Sequence, residues 1–215
     1  MTRVVLVALT FAIAATGCVT EEARKKANGY YQEGMSFLEA DRQKAFLSFQ
    51  KSVSYNPNHR DAHYSLGHLY AMQRKLKEAE AEFLQALRID PEYAEAENYL
   101  GYVYQEQDRW PDAVAAYRRA LSNPLYATPD KAWFNLGVAL AHEGDREGAV
   151  RAFEDALRVS PPTIPPVLVN LELGRTYFKL GERTKSREVL VRVVEQNKGG
   201  PYAAEAEKLL ERMTP

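Results

Sequence analysis

His59 and His63 stand four residues apart, close enough to share one helix face and offer two imidazole nitrogens to zinc, with His68 a little further along. A zinc site needs further ligands, and no cysteine or other histidine follows at a matching spacing. His59 also falls in the turn after Pro57. These histidines are therefore expected in a groove or at the surface, and no metal is expected. Glu95 and Glu97 form a carboxylate pair, but acid–base work needs a desolvated acid and nothing nearby points to one. They are expected on the solvated edge of a helix. The chain has no phosphate-cradling glycine loop, no Gly-x-Ser-x-Gly elbow and no His-Glu-x-x-His. No catalytic residue, cofactor or small-molecule substrate is expected, and the protein is not expected to be an enzyme.

The remaining reactive group is the thiol of Cys18, the single cysteine among 215 residues. It follows Arg3 and the apolar run Val4 to Ala15, which is too short for a comfortable permanent span, so residues 1–17 are expected to be an export signal. Ala15-Thr16-Gly17-Cys18 resembles the lipobox of bacterial lipoproteins, with Ala15 where that family usually has Leu. The resemblance implies cleavage before Cys18 and a covalent lipid on its sulfur. Val19 and Thr20, in place of Asp, imply an outer-membrane anchor, with the folded part facing the periplasm. Acyl chains contribute about 0.8 kcal/mol per buried methylene, enough together for a lasting anchor. Ordinary secretory cleavage is the alternative, since Ala12-Ile13-Ala14 also has the small-x-small pattern. Residues 18–25 are expected to be the lipidated N-terminus and a tether, within the polar stretch Glu21 to Lys26. With one cysteine no intrachain disulfide is possible, so packing has to hold the fold. A formal charge of −1 with both signs interspersed leaves no electrostatic footprint for nucleic acid.

The elements that must position any site come from a repeat. Leu66, Gly67, Tyr70, Ala79, Phe83 and Ala86 reappear 34 residues on as Leu100, Gly101, Tyr104, Ala113, Tyr117 and Ala120. Trp133, Leu136, Gly137, Leu140, Ala149, Phe153, Ala156 and Pro161 repeat the pattern again. Gly34, Phe37, Ala45, Phe49 and Pro57 form an earlier copy with one residue fewer in its internal turn, and Leu173, Gly174, Tyr177, Ser186, Leu190 and Val193 a degenerate later one. This pattern resembles the tetratricopeptide repeat, two antiparallel helices per unit. Gly and Ala permit close helix approach, and the apolar stripes can be buried only by stacking. The expected fold is all-α, a right-handed superhelical stack of helix-turn-helix repeats with a C-terminal capping helix. The divisions are 26–59, 60–93, 94–129 with an inserted loop, 130–166 with a Pro-rich loop, 167–200 and a cap at 201–215. Tyr202 to Met213 reads as that cap, for about eleven helices and no strands.

Two insertions break the period. Asn123 to Asp130 lengthens the step from Gly101 to Gly137 to 36 residues, and Ser160 to Pro166 lengthens the next to 37. The second is read as a stiff spacer, the alternative being a ligand for an aromatic groove. The stretch Asn123 to Gly137, NPLYATPDKAWFNLG, resembles the type IV pilus biogenesis lipoproteins, the secretin pilotins. Asn98 to Gly101, with Asp112, Ala113 and Ala120 after Trp110, is similar to the same family. What the resemblance implies is a lipoprotein that meets the outer-membrane secretin and promotes its localisation and multimer assembly. Relatives commonly have six repeats, whereas here a sixth is at most one helix. A lipoprotein scaffold for peptidoglycan hydrolases or the outer-membrane protein assembly machinery is the alternative.

In such stacks the first helix of each pair lines the concave face. Counted from each glycine, the expected partner-binding residues are Tyr31, Met35, Tyr64, His68, Asn98, Tyr102, Phe134, Asn135, Leu171 and Phe178, joined by Leu125 and Tyr126 from the first insertion. Aromatics would supply apolar area and asparagines would reach backbone groups of a bound segment. The alternative for each aromatic is packing between repeats. Tyr31 and Met35 occupy the first places of the clamp that grips C-terminal carboxylates in some members of the fold, so that use is not expected.

Overall fold

The computed structural model describes residues 19–213; residues 1–17, expected to be an export signal, and Cys18 lie outside the described residues. Among the described residues there are eleven α-helices and no strand. Five hairpins follow one another: α1 (Glu21–Phe37) with α2 (Arg42–Tyr55), α3 (Arg60–Met72) with α4 (Leu76–Ile89), α5 (Ala94–Glu106) with α6 (Trp110–Ser122), α7 (Pro129–Glu143) with α8 (Arg146–Arg158), and α9 (Pro166–Leu180) with α10 (Arg183–Gln196). The last helix, α11 (Pro201–Glu211), covers the end of the stack, with Ala203 and Ala206 buried. The result is a superhelical stack, as the repeat predicts.

Helix starts follow local chemistry. Asp41 Oδ1 accepts from the Lys44 amide at 3.0 Å, and Asp145 Oδ1 from that of Gly148 at 2.9 Å. Pro111, Pro129, Pro166 and Pro201 occupy first turns, where a missing N–H is harmless. Asn56 and Asp90 end α2 and α4 immediately before Pro57 and Pro91. One expectation is corrected here. The polar stretch Glu21 to Lys26 is the opening of α1 and not a tether: Thr20 Oγ1 accepts from Ala23 N at 3.2 Å, Glu21 and Glu22 face the positive helix end, and Lys26 pairs with Glu22 at 2.8 Å. A cap and two acids decide the local structure where polar composition alone reads as linker.

Each hairpin is closed by the same lock. The ring of Phe49 lies so near Gly34 that a Cβ there would sit 2.5 Å from it. Phe83 stands in the same way over Gly67 at 2.9 Å, Tyr117 over Gly101, Phe153 over Gly137 and Leu190 over Gly174 at 2.6 Å. These large side chains are all fully or almost fully buried, and truncating such a ring costs about 3–5 kcal/mol. In the degenerate fifth repeat Ser186 replaces the expected alanine. Its buried hydroxyl donates to Gly174 O at 2.8 Å, so the polar group is satisfied. One apolar core runs from Ala71 to Val189 through repeats two to five, with smaller clusters at the α1–α3 end and beneath α11.

Candidate protein-binding surface

The first helices of successive hairpins touch one another, α3 with α5, α5 with α7 and α7 with α9, and no two second helices come as close. The first helices therefore form the inner wall. Along it Met35 is 43% exposed, while His68, Tyr102, Phe134, Asn135 and Phe178 are half-buried. The Phe178 ring carries the Arg212 guanidinium 5.2 Å from its centroid.

Tyr31 and Tyr64 are held inside the wall. Tyr31 packs on Phe49 of its own hairpin at 5.7 Å between ring centres and on His59 at the next hairpin's start at 4.9 Å. Tyr64 meets Phe83 at 5.9 Å, Tyr93 at 5.1 Å and Tyr99 at 5.7 Å. Burial pushes the Tyr64 and Tyr93 hydroxyls well above the ordinary tyrosine range. These rings join neighbouring repeats and are half-buried.

Three of the expected contact residues are corrected. Leu171 is 1% exposed, beneath α11 with Leu190, Val193 and Ala206. Asn98 is 6% exposed and its Oδ1 accepts from Asn135 Nδ2 at 3.1 Å, so it props Asn135 toward the wall's surface. Tyr126 is 7% exposed among Ala94, Ala120 and Ala132. The common reason is that a neighbouring helix closes over each position, which counting along one helix does not register. A central residue was also missed. Tyr99, half-buried, touches Tyr64 and Phe83 and meets His68 edge-on at 5.0 Å. It occupies the place that Asn135 holds in the following repeat, so the alignment itself carried the signal.

Polar groups in the hairpins are mostly committed internally. His63, expected in a groove or at the surface, is corrected: it is buried, with Nδ1 2.6 Å from Glu82 Oε2 and Nε2 2.9 Å from Pro57 O. The reason is that α4 and the turn at Pro57 supply a partner for each ring nitrogen. Burial opposes its charged form, but these two acceptors outweigh burial and raise its pKa. At His68 burial dominates and lowers it. His59 Nδ1 accepts from the Ala62 amide at 3.3 Å, and the three histidines therefore do not converge on one point. Glu97 is the other correction: it is 7% exposed and not at a solvated edge. Its Oε1 accepts from Arg119 Nε at 2.7 Å, and Oε2 is buried with no partner among the described residues. A helix-edge reading fails because α6 packs against this side of α5 and brings Arg119 onto the carboxylate.

The most exposed large apolar side chain among the described residues is Leu125, at 88%. It stands on a pinned loop. Asn123 Nδ2 donates to Glu92 O at 2.7 Å, the Leu125 amide donates to Asn123 Oδ1 at 2.9 Å, and the next residue is the buried Tyr126.

The family model described as tetratricopeptide repeat matches residues 60–93, and a second model of that description matches residues 99–163. Over those two stretches the chain is similar to tetratricopeptide repeats. Sequence comparison with curated proteins finds no match. Among solved structures the stack is similar to PilF of Pseudomonas aeruginosa, with 22% identity and a TM-score of 0.71 over 91% of this chain and 95% of that one. It is similar to YrrB, described as a tetratricopeptide protein with an unusual peptide-binding site, with 23% identity and a TM-score of 0.70 over 87% and 95% of the two chains. PilW, described as a widely conserved type IV pilus biogenesis factor, has 22% identity and a TM-score of 0.68 over 87% and 93%. Identities this low establish a shared fold. Tetratricopeptide stacks are typically non-catalytic scaffolds for protein partners, and this chain has their architecture from α1 to α11.

Proposed function

We propose that this tetratricopeptide protein is a lipid-anchored pilotin that binds the outer-membrane secretin of a type IV pilus and promotes its localisation and multimer assembly. The observation that carries the reading is Leu125, held out at 88% exposure by a loop fastened on both sides. An exposed leucine on a rigid mount is suited to a partner, because its apolar area is gained on binding with little ordering cost. The same loop carries the stretch NPLYATPDKAWFNLG that resembles the pilotins, and the likeness of the stack to PilF and PilW supports the same reading. The half-buried Tyr102, Phe134 and Asn135 offer a second contact area on the inner wall.

Deleting the gene in its own host is expected to leave secretin as monomers, visible on gels that preserve heat-stable multimers. Complementation with Leu125→Asp is expected to restore the protein but not the multimers. Normal multimers in the deletion strain would overturn the assignment. Recovery of peptidoglycan hydrolases in place of secretin by crosslinked pull-down from membranes would also overturn it.

A further inference from the structure

In four of the five repeats the third residue after the lock glycine is aromatic: Phe37, Tyr70, Tyr104 and Tyr177. A cation covers each ring. Lys44 lies 5.4 Å from the centre of Phe37, Lys75 5.9 Å from Tyr70, Arg109 4.1 Å from Tyr104 and Lys185 5.6 Å from Tyr177. Repeat four departs from this. It has Leu140 in the aromatic's place, and Gly148 where the others carry Lys44, Glu78, Asp112 and Lys185. Among the described residues no cation lies over a ring in repeat four.

Losing bulk at these two places leaves a trough of about 420 Å³ between α6 and α8, with Trp133, Leu136 and Leu140 of α7 among its lining. That volume falls in the range of small ligand pockets. Four charged groups stand around it: Arg118, Arg151, Asp145 and Asp155. Both carboxylates are occupied, Asp145 by the Gly148 amide and Asp155 by Arg158. Arg118 and Arg151 are exposed and, among the described residues, make no ion pair or hydrogen bond. The unmet demand is therefore for one apolar group of ring size and for anions beside it.

We propose that this trough receives an aromatic side chain from a partner polypeptide, with neighbouring carboxylates of the same segment on Arg118 and Arg151. A ring is the favoured occupant because the other four repeats fill the equivalent place with a ring of their own and set a cation against it. Planar guanidinium groups on the rim suit carboxylates, which they can hold through paired hydrogen bonds. The site is lined mainly by the second helices α6 and α8, shares none of the wall residues Tyr102, Phe134 and Asn135, and does not depend on the partner being a secretin.

The test uses the full chain in a non-ionic detergent with Trp110→Phe, so that Trp133 is the only tryptophan. The probe is a blocked dodecapeptide with Glu-Asp-Phe-Glu at its centre. Saturable change in Trp133 emission is expected, and the same peptide with alanine in place of phenylalanine is expected to bind about tenfold or more weakly. Arg118→Glu with Arg151→Glu should reduce affinity by a similar factor, and a peptide carrying lysines for its acids should regain it. Leu140→Tyr should abolish the response with unchanged circular dichroism; should that variant not fold, the charge-reversal pair decides. No saturable response to millimolar peptide, or equal binding of the alanine peptide, would overturn the proposal. So would a peptide-free response that grows with protein concentration, which would make the trough a contact between copies.

Discussion

Asp130 holds Thr163 across two insertions. In the first turn of α7 its carboxylate accepts from the Thr163 amide and hydroxyl, each at 2.6 Å, and from the Ile164 amide at 3.0 Å. The residue is fully buried. The loop before α7 and the proline-rich loop before α9 are thus one fastened unit, and the second insertion is a folded part of the stack.

Asp130→Ala is expected to cost about 2–4 kcal/mol, because it strands two amides and a hydroxyl, measurable by urea unfolding. Burial favours the neutral acid, but the Thr163 and Ile164 donors outweigh it and hold the folded pKa below the ordinary value. The contribution is then complete above about pH 3.9 and lost as pH falls through the lower folded pKa. Asp130→Asn should remove that part of the acid dependence; an unchanged acid-unfolding curve would contradict the assignment.

His63 gives the opposite sign. With its folded pKa raised by Glu82 and Pro57 against burial, its contribution is complete below about pH 6.5, the unfolded value, and declines as pH rises through the folded pKa. The melting-temperature gap between the natural chain and His63→Gln should therefore be widest near pH 5.5 and narrow on going alkaline. A gap that widens with pH would show that the imidazole is held neutral.

Arg74, Asp108, Gly144 and Gly181 occupy the same place in the turn between the two helices of repeats two to five, with φ of 61°, 60°, 87° and 82°. A side chain in this left-handed region costs roughly 1 kcal/mol relative to glycine. Asp108→Gly is expected to stabilise the protein by about that much, and scanning calorimetry would check it. A lowered melting temperature would mean that Asp108 makes a compensating contact.

Much of the architecture was legible because the hairpin lock is a matter of residue size at fixed spacing. A glycine followed 15 or 16 residues later by a large apolar side chain admits one packing. The shorter interval in repeat one matches its shorter turn. The binding wall was less legible. Met35 is exposed as helical register alone predicts, whereas the burial of Asn98 and Leu171 depends on α7 and on the cap, and that of Tyr126 on the three helices around its loop.

By itself the chain's order of residues determined the helices, their pairing and the number of repeats, since capping, apolar period and glycine spacing act within some forty residues. Only the tertiary structure decided which side chains stay exposed. It buried Glu97 and Tyr126 against neighbouring helices and left Leu125 on a fastened loop. It also opened the trough above Trp133, where Leu140 and Gly148 leave a ring's place unfilled. Burial is a property of what lies across from a residue, and in a stacked fold that neighbour belongs to another repeat.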